Sequence, residues 1–318
     1  MADSTTETGV GGAGAALLHV AAPHPVSVQE LISALQLGQP RAAETVSIPA
    51  VRAGSPYPGA NAQLGCLSQL QGVWFGSGFN LIARPDKHDN KPFFLELNAT
   101  REELEFNPIA GAIPNRGSAQ DDIAFLGLTY VQRVTDAVNN GGLHIEPGIW
   151  INVPATTAPA EGPTVARMAS IPHGNALLAG GQCFLVHGGP RIAVASSTPV
   201  DAKTGKPVTD PKYLQPFKTT PPPAGIPAGA IANPNLVLTD AIAGQNIIQT
   251  SVLVISTSSG GGVENIPFLV SNADATSMTA IFWIETVRRP DGTEFLQLQY
   301  TQTVTLNFLG INWPHIQV

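Results

Sequence analysis

Apolar and polar residues alternate most strictly near the end of the chain. From Leu296, every second position through Phe308 is apolar except Gln302, and every position between them, from Gln297 to Asn307, is Gln, Thr or Asn. A period of two with one apolar face predicts a half-buried antiparallel strand. Leu298, Tyr300 and Val304 should turn inward, and Gln299 and Thr303 outward. Residues 279–287 are the expected hairpin partner. The connection Arg289-Pro290-Asp291-Gly292 carries the Pro-Asp-Gly signal of a tight turn.

Strand-length apolar pieces bounded by turn residues recur from about Leu64, at 92–97, 127–135, 143–153, 163–170 and 176–181. Residues 250–256 and 267–270 read as additional strands. The region 184–235 lacks either period. Inside it, residues 221–229 hold four prolines and two glycines, which exclude a central strand or helix. Ahead of the strands, Val28, Leu31, Ile32 and Leu35 share one helical face, so 26–37 predicts a short amphipathic helix, with 1–16 disordered. The expected organisation is an N-terminal extension over 1–60 and a β domain over 61–318, with an insertion at about 182–278. No repeat of 20–50 residues occurs, which excludes propellers and solenoids. An all-β meander must deal with its edges, and closing into a barrel removes them. Small closed barrels hold one ligand among their inward side chains.

Composition agrees. Charged residues are only 12% of the chain, while 32 Gly and 28 Pro supply many turns, so helical bundles with charged outer faces are disfavoured. A net charge of −7, with no basic run, argues against nucleic acid and against anionic membrane surfaces. No apolar stretch reaches the ~18 residues of a spanning helix, and the start of the chain lacks the pattern of a secretory leader. Cys66 and Cys183 have no zinc-type spacing and read as two separate buried thiols, which with the missing leader suggests a cytoplasmic protein.

Three blocks carry a resemblance. Leu70-Gln-Gly72-Val-Trp74-Phe-Gly76-Ser-Gly78 is similar to the opening strand of the nitrobindin-like haem-binding barrels of the calycin superfamily. Gln132-Arg133 followed by Leu143-His144-Ile-Glu146-Pro-Gly148 resembles that family's central strands. The stretch 298–304 leading to His315 resembles its last strands, where the histidine that ligates the haem iron resides. The resemblance covers roughly 64–181 and 279–318. It implies an antiparallel calycin-like, lipocalin-like barrel of about ten strands carrying ferric haem b, with iron on His315 and an open sixth position. Nitric oxide binding or peroxynitrite isomerisation would follow, and the partner would be a small or gaseous ligand.

Each candidate residue also has a plainer reading. His315, in an apolar Trp-Pro-His-Ile setting, could be a satisfied structural histidine; neutral imidazole nonetheless suits haem iron. His144 and Glu146 share a strand face, and a metal site there would need another ligand, with no HExxH motif present. The resemblance turns His144 toward the cavity. Gly72, Gly76 and Gly78 mark a barrel corner or, by resemblance, the edge of the porphyrin. Trp74 is a plug at the closed end or a ligand contact. Arg133 bonds backbone, pairs with Glu146 or meets a haem propionate. His173 reads as a turn residue and Asp121-Asp122 as a solvated turn. Hydrolase, nucleotide-loop and dinucleotide motifs are missing, so enzymatic activity is left open. Two rivals stand beside haem: a haem-free barrel holding an apolar small molecule, and a structural barrel using its insertion as a homo-oligomer interface.

Overall fold

The computed structural model describes residues 64–318. The helix expected over 26–37 and the disorder expected over 1–16 lie outside the described residues. A 3-10 helix at Gly65–Leu70 leads into the strands β1 (Gly72–Asp86), β2 (Lys91–Pro108), β3 (Ile113–Asn115), β4 (Ile123–Asp136) and β5 (Gly142–Val153). Then come β6 (Thr156–Thr157), β7 (Ala160–Glu161), β8 (Thr164–Ile171), β9 (Asn175–His187) and β10 (Val200–Asp201). The helices α1 (Pro211–Thr219) and α2 (Leu236–Ala241) precede β11 (Ile247–Ser256) and β12 (Gly262–Asn265). After α3 (Pro267–Asn272) the chain ends on β13 (Asp274–Arg288), β14 (Glu294–Phe308) and β15 (Ile311–Gln317).

Ten strands form the wall, in the order β1-β2-β4-β5-β8-β9-β11-β13-β14-β15, every neighbour antiparallel. β15 returns to β1 with Leu81 opposite Ile316 and Asn80 opposite Gln317, so the all-β barrel is closed. The final hairpin has the expected register, with Ile284 opposite Leu298. Its turn needs Gly292, whose φ is 85°.

Alternate residues along the wall feed two separate cores. Leu104, Phe106, Leu128, Trp150, Leu253, Phe282 and Tyr300 pack inside the barrel. Phe79, Leu81, Val252, Trp283 and Trp313 pack in a second cluster, against Ile231 and Leu238 of the segment 188–246. This segment lies over the outer face as a strap. Leu298, Tyr300 and Val304 belong to the inner core, and Gln299 turns outward to donate to the Leu238 carbonyl at 3.0 Å, as the alternation predicts.

The strap also explains three departures. β11 and β13 are buried on both faces, so they read as continuous apolar runs such as Ala280-Ile-Phe-Trp-Ile284. Residues 247–256, expected inside an insertion, are therefore a wall strand between β9 and β13. β9 itself continues to His187, which narrows the excursion expected from 182 to 278. Residues 267–270 are helical, not extended, because Pro267 opens α3 at its first turn.

The 3-10 helix seals one end of the barrel, with Leu64, Leu67 and Leu70 fully covered by the inner core. There Cys66 is bonded to Cys183 of β9, 117 residues away, with Cα atoms 6.5 Å apart. The two cysteines are thus not separate thiols. Their spacing could not reveal this, since the plug brings them together only in three dimensions. Disulfides persist in oxidising compartments, so the expectation of a reducing cytosol loses its support from free thiols. No helix among the described residues is long and apolar enough to cross a membrane.

β15 is short. It borders β14 only along Gln302–Phe308 and β1 only at Asn80 and Leu81, with Phe79 and Val318 exchanging backbone bonds at 2.9 and 3.0 Å. Hence Gly72–Gly78 and Glu294–Thr301 face each other with no strand between them among the described residues. The wall has a side gap.

Candidate functional site

Three polar groupings line the interior. The first lies at the end opposite the plug. His315 faces inward opposite Val304, and its Nε2 meets the Asn80 Oδ1 at 2.8 Å. Burial, followed by the nearby His144 and His173, holds its imidazole at about 3, so it is neutral at physiological pH. Asn80 continues into a chain, donating to Asn98 Oδ1 at 3.1 Å, while Asn98 donates to Asp136 at 2.9 Å. The rings of His144 and His173 stand 5.7 Å apart. No group of three His, Cys, Asp or Glu able to hold a metal ion occurs among the described residues.

The second grouping fills the centre. Arg167 of β8 is buried, with its guanidinium bonded to Glu146 and, at 2.8 and 2.7 Å, to the Tyr130 hydroxyl and Gln302. It lies over the rings of Tyr130, Trp150 and Phe282 at 5.3 to 5.7 Å. Glu146 also takes bonds from Tyr130 and, at 3.2 Å, His144. Burial raises the Glu146 carboxyl, but Arg167 and these hydrogen bonds outweigh it and leave it at about 2. A buried pair on which every partner converges is a structural centre more than a reactive one.

The third grouping is reached from the side gap. A cavity of about 330 Å³ lies there, walled by Trp74, Phe75, Leu104, Leu238, Leu296 and Leu298. At its floor are Glu102 and Tyr300. The Tyr300 hydroxyl donates to Glu102 at 2.5 Å, Gln317 and Thr100 donate to the other carboxyl oxygen, and Gln132 donates to Tyr300 at 2.7 Å. Burial pushes Glu102 up in spite of these bonds, toward the neutral acid. Helix α2 covers the outside through Val237 and Ala241, together with Ile242 just beyond its end.

The expected site residues do not assemble into one pocket. His315 and His144 are at the mouth. Trp74 and Gly76 line the side cavity, six and four residues before Asn80, so Trp74 is about 20 Å from it along β1. The Trp74 indole also donates to Leu70 O at 2.7 Å, pinning the plug. Gly72 stands at the start of β1. Gly78 has no room for a side chain, because a Cβ there would meet the Val318 carbonyl at 1.9 Å. Arg133, expected as a contact of a bound group, instead faces outward and pairs with Glu103 at 2.8 Å and Glu105 at 3.8 Å. Its slot beside Glu146 is taken by Arg167. The His315 imidazole, neutral and oriented by Asn80, has the right chemistry for iron. The interior beyond it is occupied by the Glu146–Arg167–Gln302 network.

Sequence reasoning missed Arg167, Glu102 and Asn80. For Arg167 a signal existed: in Val165-Ala-Arg167-Met-Ala169 an arginine occupies an inward position between small apolar residues. Glu102 is hidden among Arg101, Glu103 and Glu105, whose side chains all face solvent.

No protein-family model matches the chain, and no curated protein matches it. Among solved structures, the crystal structure of Rv2717c from M. tuberculosis aligns with 80% of this chain and 93% of its own. Its sequence identity is 15% and its TM-score 0.39.

Proposed function

We propose that this barrel binds a small apolar molecule with one uncharged polar end, admitted through the side gap between β1 and β14. The observation that carries this reading is the cavity itself: apolar walls converging on Glu102 and Tyr300. Its volume lies at the low end of the range for small-molecule sites. Among the described residues no Lys, Arg or His lines it, so a carboxylate ligand would find no counter-charge there, whereas an alcohol or carbonyl can exchange hydrogen bonds with the Glu102–Tyr300 pair.

The test uses the neutral fluorophore N-phenyl-1-naphthylamine. It should bind saturably and be displaced by 1-decanol much better than by decanoate. A Cβ at Gly76 meets nothing within 4 Å, and its φ is not left-handed, so Gly76→Leu should fold and block the cavity. Equal binding by Gly76→Leu, or none by the wild type, rejects this reading.

A second reading keeps ferric haem b on His315, and with it nitric oxide or peroxynitrite chemistry. What favours it is a neutral, part-buried imidazole oriented by Asn80 at the barrel mouth. Titration with haemin decides it: a Soret band lost in His315→Ala supports ligation, and a band unchanged in that variant removes His315.

A further inference from the structure

A different place on the molecule has the marks of a ligand site. Where the strap crosses the outer wall, a cavity of about 330 Å³ lies between it and strands β11, β13 and β14. It shares no lining residue with the side cavity beside Glu102. Its body is apolar, with Val252, Val254, Ile281 and Trp283 from the wall and Ala193 and Val194 from the strap. Among the described residues Arg191 is its one charged lining residue, and it is exposed.

Two polar side chains on this lining lack partners among the described residues. Thr301, 7% exposed, has a hydroxyl with no hydrogen bond. Asn235, 4% exposed, has an unpartnered Oδ1. The amide orientation is not arbitrary, because Asn235 Nδ2 donates to the Ala193 carbonyl at 2.7 Å and leaves the oxygen as the free end. Burying either atom without a partner costs free energy, and such groups in native proteins usually have one.

The strap holds this arrangement firmly. Ala195 N donates to Asn233 Oδ1 at 3.0 Å, and the Ser197 hydroxyl donates to the Ile231 carbonyl, so 193–197 and 231–235 are tied side by side. The wall beneath is regular sheet, with Ile281 opposite Thr301.

We infer that the pocket between the strap and the outer wall binds an uncharged carboxamide or lactam. Its N–H donates to Asn235 Oδ1, its carbonyl accepts from the Thr301 hydroxyl, and its apolar body packs on Trp283 and Val252. An uncharged ligand follows from a lining with no buried charge. An amide follows from the need for a donor and an acceptor in the same small molecule.

The probe is 4-fluorobenzamide, followed by fluorine NMR on the full chain. Saturable binding is expected, unchanged by 1-decanol and retained in Gly76→Leu, which separates this pocket from the one proposed above. Thr301→Val keeps the shape and removes the hydroxyl. It should weaken binding about fivefold to tenfold, the worth of one neutral hydrogen bond, while the apo protein melts no lower than wild type. Val194→Trp, at a position 73% exposed on the rim, should block binding without touching the core. Absence of saturable binding, meaning that water alone fills the pocket, overturns the inference. So does equal affinity in Thr301→Val.

Discussion

Replacing Glu285 by Gln should stabilise the protein, and only above mildly acidic pH. Glu285 sits on the outward face of β13 beneath the strap, fully buried, opposite Thr250 and Gln297. Gln297 donates to one carboxyl oxygen, and the other has no partner. Burial pushes the carboxyl from its ordinary 4.5 up to about 7, with the Gln297 bond pulling weakly the other way. A carboxyl whose folded value is raised binds its proton more tightly when folded than when unfolded. Its penalty is therefore absent below about 4.5, grows as pH rises from 4.5 to 7, and is full above 7. At ~1.36 kcal/mol per unit, the span from 4.5 to about 7 corresponds to about 3 kcal/mol. Gln carries the same shape without the charge. For a domain of this size, 1 kcal/mol moves Tm by roughly 2–4 °C, so Glu285→Gln should melt about 6–12 °C above wild type at pH 8 and together with it at pH 4. Melting curves of both proteins from pH 4 to 9 provide the check, since other carboxylates cancel in the difference. A gap that does not change with pH, or a variant less stable at pH 8, would refute the reasoning.

Two other perturbations probe the scaffold. Arg167→Met alone strands the buried Glu146 and should cost about 3–5 kcal/mol, whereas Arg167→Met with Glu146→Gln should recover most of it in urea unfolding. A double variant as unstable as the single one counts against the pair. Reducing the Cys66–Cys183 bond opens a loop of 117 residues and should cost about 2–5 kcal/mol; denaturation with and without reductant measures this, and coincident curves would mean that the bond restrains nothing.

The barrel was legible where one face of a strand meets solvent or a polar layer. Strand β14 shows this best, because Gln and Thr alternate with its apolar residues. Legibility failed where the strap covers the outside. There β11 and β13 are apolar on both faces, their period vanishes, and 247–256 passes for part of an insertion. The interior was legible only in part. His315 and His144 do face inward, but the partner that neutralises Glu146 comes from β8. No spacing in a sequence announces a contact between Arg167 and Gln302, 135 residues apart. The side gap could not be read at all, since it is a property of which edges β15 fails to reach.

The contact between Asn80 and His315 spans 235 residues and lies beside the seam that closes the barrel. The hairpins on either side form from neighbours in sequence, so they can appear early, whereas this seam must wait for two ends of a long chain to meet. Non-local pairing of this kind slows folding. Until it forms, the unfinished sheet presents two raw edges, and even in the closed barrel the part of β1 beside the side gap keeps Phe75 at 78% exposure and Val73 at 51%. Edges of that type recruit other chains. The time between hairpin formation and seam closure is thus the period in which crowding of nascent molecules would divert this protein into aggregates.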